Sequence, residues 1–577
     1  MFNKINNMKN KILPLFLIFS LIITGGFLKK IIVQADDATT SVEVGNTVPS
    51  FTSTFEPHED PTSATSTPTN VGDQVTFKAT ASDANGDDWK LLICTSGSVS
   101  GLSCAASEWC HSNFASSTAE ATCSYTALVG DTETEDWYGF ACDTVGCSAE
   151  SHKTDADIGP PFHVNHRPAF TVFSDDSPKN PNVMVTWSAT STDPDTGGSD
   201  TVTLYVCKTA SFSTSTGCAV EWCHSSASAS DPTCNIANTP RPDGNYDSYG
   251  YVMDNHSFAS TGTAQGTNST MTVSNIAPSI TASSINLLDT DGSGNLALTG
   301  EQAETSGFKV TFIVADDNSC QNITSGDEIA SALINVRMSE KIQTACDETG
   351  DYDANDCYPD ASASWDPVCA ASSTVDSCTG NTDTSVGWAC TFPLEYHADP
   401  TVASTPKAAY NWVAATKAFD DDAADTGLVD STTYSNEMDK FMAYDLASTT
   451  LAYGTVAPNN DSSEKTTTVK ATGNVGLDEN LYGTNMCTDY PGCAGNTIAV
   501  AQEVYNLSSG GGWGVGTALL VNPGVEVEMN CLKTTVTGSP ASTSTYWYLR
   551  IPLGQAVGTY TGENTIGGKV DNETYGS

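Results

Sequence analysis

The residues best equipped for chemistry in this chain are hard oxygen donors gathered in short turns. Asp83, Asn85, Asp87 and Asp88 share one turn, Asp193, Asp195 and Asp200 a second, and Asp289, Asp291, Ser293 and Asn295 a third. A calcium ion takes roughly six to eight oxygens, commonly from Asp, Asn and backbone carbonyls. These residues are therefore the candidate calcium ligands, and calcium is the only cofactor the sequence suggests. Asp, Asn and Gly also form turns for conformational reasons alone. The third turn copies only the first half of an EF-hand-like loop, since its twelfth position is Gly300 and Glu301 follows one residue late.

The chain has 19 cysteines, many for a reducing compartment and ordinary for a secreted protein. Spacing suggests the pairs Cys94–Cys104, Cys110–Cys123, Cys142–Cys147, Cys207–Cys218, Cys223–Cys234, Cys346–Cys357, Cys378–Cys390 and Cys487–Cys493, with Cys320–Cys369 from the remainder. Cys531 is left over in an apparent strand and is expected to be a buried thiol. Cys110-His111 and Cys223-His224 invite a zinc reading. Adjacent residues on a strand point to opposite faces, and structural zinc sites favour wider spacings. Disulfides with exposed histidines are expected instead.

Signatures of common enzymes are missing: no Gly-x-Ser-x-Gly elbow, His-Glu-x-x-His pair, P-loop or dinucleotide fingerprint occurs. The chain is read as a non-enzyme. A carboxylate pair for glycoside hydrolysis, and hence an extracellular hydrolase, is the third-ranked alternative. Trp109, Trp222 and Trp513 are candidates for stacking on sugars, although tryptophans usually pack in cores. Trp513, in the run Gly510–Gly514, is the best local ligand contact.

These residues hang on a repeated scaffold. Asn-x-x-Pro-[Ser/Ala]-[Phe/Ile] occurs at Asn46/Pro49/Phe51, Asn165/Pro168/Phe170 and Asn275/Pro278/Ile280. The intervals match one immunoglobulin-like sandwich of about 100 residues. Each start is followed by an alternating strand (Val75–Ala81, Val183–Ala189, Phe308–Val314) and then an acidic turn. Period-2 alternation of β-branched and aromatic residues between Asp/Gly turns reads as β-strand. The string Glu108-Trp109-Cys110-His111-Ser112 recurs as Glu221-Trp222-Cys223-His224-Ser225, and Tyr138-Gly139-Phe140 as Tyr249-Gly250-Tyr251, a later core strand. After residue 435 the texture changes to short strands between Gly/Asn/Ser turns. The expected organisation is a signal peptide at 1–35, a linker at 36–45, modules at 46–164, 165–274 and 275–435, and a distinct sandwich at 436–577. The expected fold class is all-β, with tandem immunoglobulin-like β-sandwiches and a distinct C-terminal β-sandwich.

The strand pattern and acidic turns from residue 44 to about 435 resemble tandem immunoglobulin-like, cadherin- or PKD-type modules of bacterial cell-surface proteins. Thr472-Gly473-Asn474-Val475-Gly476-Leu477-Asp478 and the ending from Pro552 to Gly562 resemble the C-terminal module of such proteins. The resemblance implies a surface-displayed structural role.

Charge and targeting agree with that role. Sixty-nine acids against 23 bases give a net charge of −46. This argues against nucleic acid and anionic lipid as partners, because both are bound through clustered Lys and Arg. Residues 1–35 hold Lys4, Lys9 and Lys11, then an apolar run Ile12–Phe27, then Val33-Gln34-Ala35 before Asp36, which is the grammar of a secretory signal. Lys29-Lys30 between them leaves an uncleaved membrane anchor as the alternative. No later run is long and apolar enough to span a bilayer. The expected protein is secreted or displayed on a bacterial surface, with a structural or adhesive role as a stalk or envelope-assembly component. Its partners would be a protein or glycan on cell surfaces, or further copies of itself. A carbohydrate-binding extracellular protein is the main alternative.

Overall fold

A computed structural model describes residues 41–53, 55–149, 161–195, 200–292, 294–323, 326–360, 364–433 and 436–571. The signal segment 1–35 and Ser293 lie outside the described residues. Among the described residues the chain is all-β and carries only short 3-10 turns besides strands. Among the described residues, no helix is long and apolar enough to cross a membrane. Contacts separate the chain into two compact units.

The first unit comprises the described residues of Met1–Asp60, Thr76–Ser124 and Trp137–Gly159. From Thr76 on, the strand Gln74–Ser82 belongs to it and buries Phe77, Ala79 and Ala81 while the residues between face outward, as period-2 alternation requires. It pairs with Ser50–Phe51, His58–Asp60 and Glu120–Thr126. A second sheet places Lys90–Cys94 between Glu108–His111 and Tyr138–Cys142.

The second unit contains Pro61–Val75, Tyr125–Asp136 and Pro160–Ser577. Its first sandwich repeats the same plan. Val185–Thr192 lies between Ala169–Asp175 and Thr233–Ile236, and Val202–Cys207 lies between Glu221–His224 and Tyr249–Asp254. A core of Phe170, Val185, Trp187, Leu204, Val252 and Met271 serves this sandwich. The third repeat has a separate, larger core around Phe308, Phe312, Trp388, Trp412 and Met438. Its sheets centre on Thr305–Ala315 beside Ser385–Leu394 and on Ile329–Met338 beside Trp412–Asp420. The C-terminal sandwich pairs Lys465–Ala471 with Ser542–Leu549, and sets Leu477–Gly483 between Val525–Cys531 and Asn564–Val570. The last of these strands lies beyond the Pro552–Gly562 ending singled out in the sequence.

The recurrent strings now have physical causes. In Glu-Trp-Cys-His-Ser the serine hydroxyl accepts a buried backbone N–H, from Leu91 to Ser112 at 2.8 Å and from Leu204 to Ser225 at 2.9 Å. Both histidines are exposed and meet the glutamate three residues back, at 2.6 Å for His111–Glu108 and 2.7 Å for His224–Glu221. In Tyr-Gly-aromatic, a Cβ on Gly139 would lie 2.2 Å from Pro57 Cγ, and one on Gly250 would lie 2.7 Å from the Phe173 ring. Only glycine allows these close approaches.

Nine disulfides join all the described cysteines but Cys531. Cys94–Cys104, Cys110–Cys123, Cys142–Cys147, Cys207–Cys218, Cys223–Cys234, Cys346–Cys357 and Cys487–Cys493 follow the spacing. Two expected pairs are corrected. Cys320 bonds to Cys378, and Cys369 to Cys390, in place of Cys320–Cys369 and Cys378–Cys390. The cause is sheet register: Val368–Ala371 runs antiparallel to Ser385–Leu394 with Cys369 directly opposite Cys390. Cys531 is a buried free thiol, pushed up from its ordinary pKa by burial.

Candidate functional site

The leading Asn-x-x-Pro motif, the acidic turn and the end of the late strand come together in one corner, built three times. In the first unit, Asn46 Nδ2 donates to Asp143 Oδ2 at 2.9 Å. The next backbone N–H, from Thr47, donates to Asn85 Oδ1 at 2.8 Å, and Asn85 N–H donates to Asp83 Oδ1 at 2.7 Å. In the second repeat, Asn165 Nδ2 donates to Asp254 Oδ2 at 3.0 Å, His166 N–H to Asp195 Oδ2 at 2.6 Å, and Asp195 N–H to Asp193 Oδ1 at 3.0 Å. In the third, Asn275 Nδ2 donates to Asp420 Oδ2 at 3.0 Å, Ile276 N–H to Asn318 Oδ1 at 2.6 Å, and Asn318 N–H to Asp316 Oδ1 at 2.7 Å.

One oxygen is left over each time. Asp83, Asp193 and Asp316 each form an Asx-turn with Oδ1 and leave a buried Oδ2 with no hydrogen-bond partner. An unpaired buried carboxylate is costly, and its usual response is a raised pKa. Burial, reinforced by neighbouring carboxylates, pushes Asp193 up to about 7 and Asp316 likewise to about 7. Asp254 is also raised by burial. Asp143 goes the other way: burial lifts it, but Asn46 and the N–H groups of Gly146 and Val145 outweigh that and hold it low.

The three corners are not chemically equal. In the first, Asp83, Asp87 and Asp143 present ligand oxygens within 4.8 Å of one another. Asp88 stands outside this set, and Asn85 Oδ1 already serves Thr47. In the second, imidazoles occupy two of the three expected ligands. His166 Nδ1 lies 2.7 Å from Asp195 Oδ1, and His256 Nε2 lies 3.1 Å from Asp200 Oδ1. Asp193, Asp195 and Asp200 do not converge as one donor set. In the EF-hand-like turn two of the expected donor residues already carry hydrogen bonds. Asp289 Oδ1 accepts the N–H of Ala297 at 3.1 Å, and Asn295 Nδ2 donates to Asp439 at 3.1 Å. Further donor groups are Asp243/Glu328/Asp421 and Asp478/Glu526/Glu528, the latter with Glu526 paired to Lys569 at 2.7 Å.

The sequence reading missed Asp143, Asp254 and Asp420. A signal for two of them was present: an Asp stands five residues after the tyrosine of each Tyr-Gly-aromatic string. The tryptophans proposed for stacking are half-buried and engaged. Trp222 stacks on Trp187 with centroids 6.2 Å apart and donates to Asp247 O at 2.9 Å. Trp109 packs on Phe77 at 5.9 Å. Trp513 does not stand free on its glycine loop, since it donates to Gln502 O at 2.8 Å and carries the Arg550 guanidinium 3.9 Å over its ring.

No protein-family model matches the chain, and no curated protein matches it. Among solved structures, it is similar to fibronectin(III)-like modules of CbhA from Clostridium thermocellum, at 17% identity and a TM-score of 0.19, covering 37% of this chain and 92% of that one. It is also similar to the immunoglobulin domains 1-5 of Sidekick-1, at 12% identity and a TM-score of 0.21, covering 69% of this chain and 59% of that one. A chimeric titin Z1Z2 matches at 14% identity and a TM-score of 0.16, with 40% and 97% covered.

Proposed function

We propose that the chain is an extracellular structural or adhesive protein, a bacterial surface stalk or envelope-assembly component delivered by the signal at residues 1–35. The observation that supports this best is the recurrence of a cystine-stapled sandwich with the same hydrogen-bonded corner. Repetition of one rigid unit suits spacing and presentation more than a single concave catalytic cleft. Nine disulfides suit an oxidising compartment. The first corner would take calcium through Asp83, Asp87 and Asp143. The second would remain metal-free, because His166 and His256 hold its carboxylates. High negative charge would keep neighbouring copies apart. In the source cell, an epitope-tagged chain should be shaved from intact cells by added protease, and its deletion should lower adhesion or envelope integrity. A protease-protected chain whose cysteines are reduced would contradict the proposal.

A second reading is favoured by one feature. The C-terminal sandwich holds a cavity of about 590 Å³ lined by Leu451, Tyr453, Met486, Glu503, Tyr560 and Asn564. Aromatic and polar groups of this kind suit a small glycan. A glycan array with Tyr560→Ala and Trp513→Ala controls tests it. Binding that only Tyr560→Ala abolishes would place the ligand in this cavity.

A further inference from the structure

We propose that Asp243, Glu328 and Asp421 bind one calcium ion that ties the second repeat to the third. Asp243 leads into the strand Gly244–Tyr246 of the second repeat. Glu328 precedes Ile329–Met338, and Asp421 follows Trp412–Asp420, both in the third. Their ligand oxygens lie within 4.8 Å of one another. Oxygens on opposite sides of one ion with bonds of about 2.4 Å are separated by about that distance.

Glu328 points to a ligand independently of the cluster. It is 0% exposed, and neither carboxylate oxygen has a hydrogen-bond partner. A buried carboxylate is ordinarily hydrogen-bonded, ion-paired or metal-bound. Among the described residues, no Lys, Arg or His forms an ion pair with Asp243, Glu328 or Asp421. Asp421 is oriented by Asn322 Nδ2, which donates to its Oδ2. The adjoining corner adds charge of the same sign through Asp316 and Asp420, and burial together with Asp243 and Asp421 pushes Glu328 up to about 8.

The two sides of the site are already fastened around it. Arg241 Nη1 donates to Asp317 O at 3.1 Å, and Asn318 Nδ2 donates to Arg241 O at 3.3 Å and Ser274 O at 2.9 Å. The ion would therefore meet a preformed gap. The joint between the third repeat and the C-terminal sandwich is built differently, with a resident cation. Lys533 Nζ donates to Asn355 Oδ1 at 2.8 Å, His397 O at 2.6 Å and Thr534 O at 3.0 Å, and it pairs with Asp399 at 3.0 Å. At the Glu328 joint the acids face one another without such a lysine. An all-oxygen, three-carboxylate donor set suits calcium, while structural zinc prefers Cys and His and magnesium prefers to keep its waters.

The proposal is separate from the adhesive role and survives its failure. The test is equilibrium dialysis of the full secreted chain against radioactive calcium at neutral pH. Wild type, Glu328→Gln, Asp421→Asn and Asp87→Asn are compared, with melting in chelator as the check on folding. Glu328→Gln should bind one ion fewer than wild type. Asp421→Asn, at an exposed position, should melt as wild type does in chelator and bind that ion at least tenfold more weakly. Asp87→Asn should keep this ion whatever happens at the first corner. Magnesium should compete at least tenfold less well than calcium. Wild-type stoichiometry and affinity in both Asp421→Asn and Glu328→Gln would overturn the proposal, as would a wild-type chain that binds no calcium or a site that magnesium fills equally well.

Discussion

Replacing the leading asparagine of each repeat by alanine should destabilise the sandwiches in a fixed order. Asn165 is 1% exposed and makes two side-chain hydrogen bonds, to Asp254 Oδ2 at 3.0 Å and to Asn70 Oδ1 at 2.8 Å. A hydrogen bond to a charged group contributes about 1.5–3 kcal/mol and a neutral one about 0.5–1.5 kcal/mol. Losing both, with Asp254 left buried, should cost Asn165→Ala about 2–4 kcal/mol. Asn275 is half-buried and makes only the bond to Asp420, so Asn275→Ala should cost about 1.5–3 kcal/mol. Asn46 is exposed, where charge-assisted contacts are worth about 1 kcal/mol or less. The assay is equilibrium urea unfolding of the full chain followed by tryptophan fluorescence, in which buried Trp187 reports on the second repeat. With an m-value near ~2 kcal/mol/M, Asn165→Ala should lower that transition by about 1–2 M urea. A shift under ~0.3 M for Asn165→Ala, or a larger loss for Asn46→Ala, would refute the reasoning that these bonds close the corner.

Other perturbations separate further parts of the account. Reducing Cys320–Cys378, which closes 58 residues, should cost about 4 kcal/mol in the chain-entropy model, against about 2 kcal/mol for Cys142–Cys147 with a separation of 5. Unfolding of Cys-to-Ser pair variants measures both, and equal losses would contradict the loop-length argument. Lys533→Ala should destabilise the C-terminal sandwich by about 3–5 kcal/mol, because it strips a buried cation from Asp399 and three other oxygens. An unchanged melting temperature would mean that Lys533 is dispensable there. Glu479 is 0% exposed, has Oε1 unpartnered, and is raised from its ordinary pKa by burial against the opposing Thr545 hydroxyl. Its contribution is therefore fully present below the unfolded pKa near 4.5 and lost as pH rises through the higher folded value. Glu479→Gln should flatten the fall in melting temperature as pH rises above the unfolded value near 4.5, whereas an identical pH profile would refute it.

What the sequence made legible was whatever is local. Alternation in Val75–Ala81 gave the strand and its buried face, because side chains on a strand change sides at every residue. Short cystine loops were legible because cysteines about ten residues apart stay close in space wherever the chain turns back between them. Cys320–Cys378 was not, because its partner is chosen by which strand lies beside which, and Cys369 was already opposite Cys390. The leading asparagines and acidic turns were visible as repeated strings, yet the bonds joining them to Asp143, Asp254 and Asp420 depend on long-range strand placement. His166 and His256 looked unremarkable in sequence, although they decide that Asp195 and Asp200 are already occupied. Trp513 looked exposed on its glycine loop because the cation that covers it, Arg550, comes from a distant strand end.

The role proposed for the repeated, cystine-stapled sandwiches is mechanical. Stretching single full-length molecules between a surface and a cantilever tests it most directly. The Cys320–Cys378 bond hides 58 residues from extension, about 200 Å of chain. Successive unfolding events are expected under oxidising conditions, with contour length growing by about that amount in the third-repeat event after reductant is added. A single unfolding event of the same length with and without reductant would contradict it.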